Sequence, residues 1–204
     1  MARFVLLHGF GGVGPDHWLV WLSTELRARG HVARLRKLPS PSAPRMAAWR
    51  QSLDERLARI ASDDPIVRDE RGDPSGELVV VAHSLGTRLW LDHATRLQPA
   101  PVLADRVALV VPPRLPQDAD RRLWPEVDPP RVRTDLAARH TRVVLSDTDP
   151  WWPQLGAREA IADPLGLPVD LIGAAGHVEP ADGYGPWPAM LDWCLGERET
   201  IGPR

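Results

Sequence analysis

Three polar residues follow apolar runs in this chain, and their types match those of a nucleophile, an acid and a base. Ser84 lies in Ala82-His83-Ser84-Leu85-Gly86, directly behind Leu78-Val79-Val80-Val81. That pentapeptide follows G-x-S-x-G with alanine in place of the first glycine, the pattern of a sharp strand-to-helix turn that exposes a serine hydroxyl. The positions flanking the serine need small residues, and alanine is small enough. At the start of a helix, Ser84 would also meet free backbone N–H groups that stabilise developing negative charge. A serine there equally suits an ordinary N-cap, so the pentapeptide alone does not decide.

Two further strand ends carry the partners. Val143-Val144-Leu145 leads into Ser146-Asp147-Thr148-Asp149-Pro150, where Pro150 stops a helix from running through Asp149. Either Asp147 or Asp149 can accept the Nδ1–H of a histidine, fixing its tautomer and stabilising the imidazolium. Either can also serve as a plain turn cap. Ile172-Gly173-Ala174-Ala175-Gly176-His177 then sets a histidine behind a loop of small residues that allows close backbone approach. Taken singly, each feature has a commonplace structural explanation. Together, serine, aspartate and histidine stand in the chain order of the α/β-hydrolases, each behind a successive apolar strand. The chemistry implied is acyl transfer, with Ser84 attacking a carbonyl and His177 taking its proton. An oxyanion needs two donors. The backbone amide of Leu85 is one, and the loop His8-Gly9-Phe10-Gly11-Gly12 offers that of Phe10 as the other.

The elements that must hold these residues alternate along the chain. Short apolar runs predict strands over 4–7, 32–35, 78–82, 107–111, 143–145 and 169–172. Apolar residues at three- and four-residue spacing predict helices over 18–26 and 46–60, with others over 85–97, 157–162 and 187–195. Trp18, Trp21, Trp49 and Trp90 fall on the helical spacing and are expected in the core. Trp151 and Trp152, directly behind the candidate acid, are positioned to wall an acyl pocket or to pack the next helix. Alternating strands and helices with continuous apolar strands mean a mostly parallel sheet of about six strands, covered on both faces. Ligands in such sheets bind at the carboxyl ends of the strands, where the three polar residues fall. Polar residues over 63–76 and the proline-rich stretches 39–44, 112–130 and 150–168 read as loops.

Bulk properties narrow the classes of function. The 204 residues suit one α/β domain over 1–204, and a net charge of −2 with scattered arginines argues against nucleic acid or a membrane surface as partner. No apolar run reaches the length of a membrane span, and Arg3 leads straight into the first strand without a signal-peptide core. The single cysteine, Cys194, rules out an intrachain disulfide, so a cytoplasmic protein is expected. The seven histidines show no H-x-x-x-H or H-E-x-x-H spacing, and neither a metal nor a cofactor is expected. One rival motif is present. Gly9-Phe10-Gly11-Gly12-Val13-Gly14 satisfies the G-x-G-x-x-G dinucleotide fingerprint, and Arg34 and Arg36 lie where an NADP phosphate would be met. Pro15 follows at once and is expected to open the helix, which leaves the third glycine outside it. A fold used only for binding is the other alternative.

The residues also resemble a known group, the small serine hydrolases that include the retinoblastoma-binding hydrolase family. Gly14-Pro15-Asp16-His17-Trp18 with Trp21-Leu22, the turn at Ser84, Asp149-Pro150-Trp151, Gly176-His177 and Gly183-Tyr184-Gly185-Pro186-Trp187-Pro188 carry the likeness in order. The resemblance implies a compact α/β-hydrolase with little or no lid and Ser84, Asp149 and His177 as triad. It favours Asp149 over Asp147, because the family's acid directly precedes proline. The activity expected from the triad is that of a serine hydrolase of carboxylesterase type acting on a small ester, thioester or amide. A protein partner is compatible with this composition, but no segment indicates one.

Overall fold

The computed structural model describes residues 1–35, 37–62, 76–96, 103–115, 117–120, 124, 127–152 and 156–204, with 61 and 62 described by their backbone only. Apart from Gly76, the predicted loop over 63–76 lies outside these residues. Strands β1 (Arg3–Leu7), β2 (Val32–Leu35), β3 (Leu78–His83), β4 (Ala104–Val110), β5 (Ala138–Leu145) and β6 (Val169–Leu171) form one sheet. Its order is β2-β1-β3-β4-β5-β6, and every pairing is parallel. The helices are α1 (Trp18–Ala28), α2 (Met46–Ser62), α3 (Leu85–Thr95), α4 (Thr134–Ala137) and α5 (Pro188–Cys194).

The two-residue period of a strand divides the core in two. Val5, Leu7, Val80 and Ala82 face one layer with Trp49, Leu53, Leu57, Leu89 and Trp90 from α2 and α3. Phe4, Leu6, Val79 and Val81 face the other, with Trp18, Leu22 and Leu26 of α1 and Met190 and Trp193 of α5. Both sets are buried, which is why these strands read as unbroken apolar runs rather than as alternating ones. Trp18, Trp49 and Trp90 are core residues as expected, and Trp21 is partly buried against the α1 layer. Among the described residues no helix is long and apolar enough to cross a membrane.

Several boundaries differ from the sequence pattern for local reasons. β5 starts at Ala138, five residues ahead of the expected 143, with Arg139 and His140 exposed. Charged residues at a sheet's end do not interrupt a ladder, and Arg106 pairs with His140 there. Helix α1 starts at Trp18 and not at Pro15, because His17 caps it by accepting the Leu19 N–H at Nδ1. The short helix expected over 157–162 is π-helical from Arg158 to Ala162. Helix α5 opens with Pro188 at its first position, where the missing N–H is harmless. Val111 leaves β4 with φ +42, a left-handed conformation in which the strand ends.

The order β2-β1-β3 places the reversal of winding between β1 and β3, and the crevice at their carboxyl ends is the natural binding position. Leu7 and Ala82 are paired there, so β3 runs one residue beyond β1. Gly86 in the first turn of α3 lies against that end: a Cβ on it would sit 2.7 Å from the Leu7 carbonyl oxygen and 2.9 Å from that of His8. Both obstacles are backbone. Gly86→Ala is therefore expected to cost about 1–3 kcal/mol of stability, the usual range for forced overpacking. Urea denaturation should show a lower midpoint at unchanged slope. A variant as stable as the parent would mean that β1 and α3 are free to move apart.

Candidate active site

Ser84 occupies the turn between β3 and α3 with φ +53 and ψ −124, backbone angles that a serine rarely adopts. Three hydrogen bonds hold it there. Its N–H donates to the Val110 carbonyl at 3.0 Å, and its own carbonyl accepts the Thr87 N–H at 2.9 Å and the Thr87 hydroxyl at 2.6 Å. The side chain is left unused by the helix: Ser84 makes no cap bond. Instead its Oγ lies 2.8 Å from His177 Nε2, and His177 Nδ1 lies 3.0 Å from Asp149 Oδ1. Asp149 is buried and also accepts the Trp151 N–H at 3.0 Å. A carboxylate only accepts, so the imidazole proton sits on Nδ1, and Nε2 presents a lone pair to the serine hydroxyl. A hydroxyl in that position can pass its proton to the ring as its oxygen attacks a carbonyl.

The structure thus brings Ser84, His177 and Asp149 into one line and leaves Asp147 outside it. Asp147 is exposed, and its N–H donates to the Gly173 carbonyl. The loops bearing the acid and the histidine are laced together by residues that the sequence pattern did not single out. Ser146 Oγ accepts the Ala175 N–H at 3.0 Å, and Thr148 Oγ1 accepts the Gly176 N–H at 2.9 Å. Short hydroxyl residues flanking a candidate acid are the only trace of this in the sequence.

The loop after β1 runs beside the serine. A Cβ on Gly9 would stand 2.9 Å from Ser84 Oγ, so only glycine allows this approach. His8 is buried and takes the Leu38 N–H on Nε2 at 2.8 Å, which leaves its proton on Nδ1, 2.7 Å from the Gly9 carbonyl. Carbonyl and amide of a trans peptide point opposite ways, so fixing the Gly9 carbonyl turns the Phe10 N–H away from His8. Among the described residues neither the Phe10 nor the Leu85 amide has a backbone acceptor. The Phe10 side chain is 61% exposed. Trp151 is 45% exposed, with its ring 6.1 Å from that of His177. Of the two roles open to Trp151 and Trp152, Trp152 takes packing: it turns inward and donates its indole N–H to the Pro112 carbonyl. Among the described residues, Gly14 packs against nothing within 4 Å of a Cβ position, so the rival dinucleotide motif lacks its close-packing glycine.

The model of the family described as Serine hydrolase matches residues 4–194. The chain belongs to that family. The ydeN gene product from B. subtilis superposes with TM-score 0.75 at 22% identity, over 96% of this chain and 98% of that one. Thermogutta terrifontis esterase 2 superposes with TM-score 0.62 at 18% identity, over 100% and 85% of the respective chains. By sequence, YdeN of Bacillus subtilis (strain 168) is 27% identical over 70 residues, 34% of this chain. The chain spans 37% of the length of that curated relative. The superpositions show the α/β-hydrolase fold.

Around the site of this serine hydrolase family member, burial governs the titratable groups. Burial holds the His8, His83 and His93 imidazoles below their usual range, and lowers His17 to about 4. A neutral His8 keeps the lone pair that accepts from Leu38. The sign of the pH effect follows from His17. Below about 6.5 the unfolded chain takes up a proton there, whereas the folded chain does so only near 4. Stability should fall as pH drops from about 6.5 to 4, by on the order of 3 kcal/mol for this one group, and it gains nothing from it at higher pH. His17→Asn keeps an N-cap acceptor and removes the titration. Urea unfolding at a series of pH values should give a shallower slope in that window for the variant; identical slopes would exclude His17 as the group responsible.

Proposed function

We propose that this protein hydrolyses small esters, thioesters or amides through an acyl-enzyme on Ser84, with His177 as general base and Asp149 as its orienting acid. The single observation that carries the proposal is the continuous line Ser84 Oγ–His177 Nε2 at 2.8 Å and His177 Nδ1–Asp149 Oδ1 at 3.0 Å. Membership of the serine hydrolase family agrees with it.

The steps follow from the geometry. Oγ attacks the substrate carbonyl while its proton moves to Nε2, and the imidazolium is stabilised by the buried Asp149 carboxylate. The carbonyl oxygen becomes an oxyanion beside Gly9, where the Phe10 and Leu85 amides donate to it, each worth about 3 kcal/mol by comparison with other oxyanion donors. The tetrahedral adduct collapses as Nε2–H protonates the leaving alcohol, thiol or amine. Water then repeats the sequence on the acyl-enzyme, with its proton going to Nε2 and returning to Oγ. The exposed Trp151 ring stands 6.1 Å from that of His177, so an acyl or leaving group that reaches it meets an apolar face.

Labelling with a fluorophosphonate should modify Ser84 stoichiometrically, and Ser84→Ala should lose both labelling and ester turnover. A folded wild-type protein that takes no label would leave only a binding role for the fold. Asp149→Asn is expected to lower kcat by about 10⁴, as for other triads in which the acid sets the tautomer. Asp147→Asn should stay within a few-fold of wild type, and the opposite ranking would move the acid to Asp147. Trp151→Ala should raise KM for p-nitrophenyl esters of apolar acids by about five- to tenfold with kcat nearly unchanged, the effect of losing one partly exposed aromatic wall. An unchanged KM would remove Trp151 from the substrate's path.

A further inference from the structure

The backbone that carries His177 is gripped from both sides. Its N–H donates to Asp182 Oδ2 at 2.9 Å, and its carbonyl lies 2.9 Å from His83 Nε2. The next carbonyl, that of Val178, accepts the Trp18 indole N–H at 3.0 Å. Val178 itself has φ +58, a conformation that a β-branched residue adopts only where its surroundings impose it. The stretch directly behind the histidine is thus strained and held by two side-chain donors from other elements.

His83 is the donor nearest the chemistry. It ends β3, precedes Ser84 in the chain and is fully buried. A carbonyl only accepts, so Nε2 carries the proton, and Nδ1 is a bare lone pair 3.9 Å from Glu179 Oε1. The ring is fixed by edge contacts with His17 at 5.2 Å and Trp18 at 5.7 Å, and it lies 5.4 Å from the His177 ring. His17, His83 and Glu179 bring ligand-type atoms within 4.8 Å of one another, the arrangement of a possible metal site. Their hydrogen bonds argue otherwise. His17 Nδ1 already accepts the Leu19 N–H, so its Nε2 bears the proton where a metal would need a lone pair. Binding there would require an imidazolate or a broken helix cap. The three side chains are better read as the packed mount of the His83 ring.

We infer that His83 is a positioning residue: its Nε2–H holds the His177 carbonyl and thereby sets the His177 imidazole over the Ser84 hydroxyl, from the same strand end that presents Ser84. The inference rests on the proposed triad. One strand end then fixes two of the reacting side chains relative to each other, one through the chain and one through a hydrogen bond. A shift of about 1 Å in such a pair is enough to cost on the order of a hundredfold in rate.

The test compares His83→Gln, His83→Asn and His83→Leu in the full-length protein. A glutamine amide nitrogen reaches the place of Nε2, whereas asparagine stops near Nδ1 and leucine donates nothing. Expected are a kcat lowered ten- to hundredfold in the Asn and Leu variants, with KM within twofold, and recovery to within about fivefold in the Gln variant. The rate of fluorophosphonate labelling at Ser84 should follow the same order. A role in packing alone would not separate Gln from Asn in this way. Wild-type kcat in Asn and Leu, or a Gln variant as slow as Leu at equal urea stability, overturns the inference. Nitrogen-15 NMR of the unaltered protein decides without any variant: the neutral Nε2–H tautomer of His83 is expected, and an Nδ1–H tautomer or a charged ring overturns it. Absence of label at Ser84 in the wild type overturns the triad and this inference together, whereas normal wild-type labelling with indifferent variants overturns the inference alone.

Discussion

The whole site depends on one strained residue. Ser84 is held at φ +53 and ψ −124 between the last buried residue of β3 and the first turn of α3. A conformation of this kind costs of order 1–3 kcal/mol and survives only where neighbours over-determine it. Here the neighbours are the Val110 carbonyl on β4, both donors of Thr87, and the end of β1 against which Gly86 lies without a side chain. The turn is therefore a product of three adjacent strands and one helix. A parallel sheet with β1 and β4 on either side of β3 supplies that surrounding, because all three strands run the same way and end on the same edge.

The remaining parts of the site are arranged by the same edge. Asp149 follows β5 and His177 follows β6, two and three places from β3 in the sheet, so they reach Ser84 only through loops. Those loops are stiffened by local bonds: Ser146 and Thr148 hydroxyls accept from Ala175 and Gly176, and Asp182 accepts from both His177 and Glu179. Below them lies a buried layer of aromatic and imidazole rings, in which Trp18 meets Trp187 and His83 meets His17. The polar line at the surface stands on an apolar and uncharged base. Burial keeps the His17 and His83 imidazoles of that base neutral, so neither competes with His177 for the carboxylate.

Much of this was legible in the sequence because strands buried on both faces leave an unmistakable signature. The runs at 4–7 and 78–82 gave the central strands almost to the residue, and their order with the intervening helices implied a parallel sheet. Ser84 and His177 could be read from residue type and position behind a strand. The choice between Asp147 and Asp149 could not, since two carboxylates two residues apart both follow β5; only the family resemblance favoured Asp149, the residue now found 3.0 Å from His177. The early start of β5 was hidden because hydrophobic runs do not mark a strand whose end bears Arg139 and His140. His8 and His83 were visible as histidines, but their hydrogen bonds reach Leu38 and His177, and partners 30 and 94 residues away leave no local pattern.

The loop after β1 separates the duties of one residue. The main chain of Phe10 is fixed from behind, through the Gly9 carbonyl and the buried His8 ring, whereas its side chain stands 61% exposed at the rim. Among the described residues, Phe10 takes no part in either buried cluster. The position can therefore drift under selection, or be randomised at the bench, without disturbing the frame beneath it. Under the proposed chemistry, new preferences for an acyl or leaving group are most easily acquired here, on a residue outside the hydrogen bonds that align Ser84, His177 and Asp149.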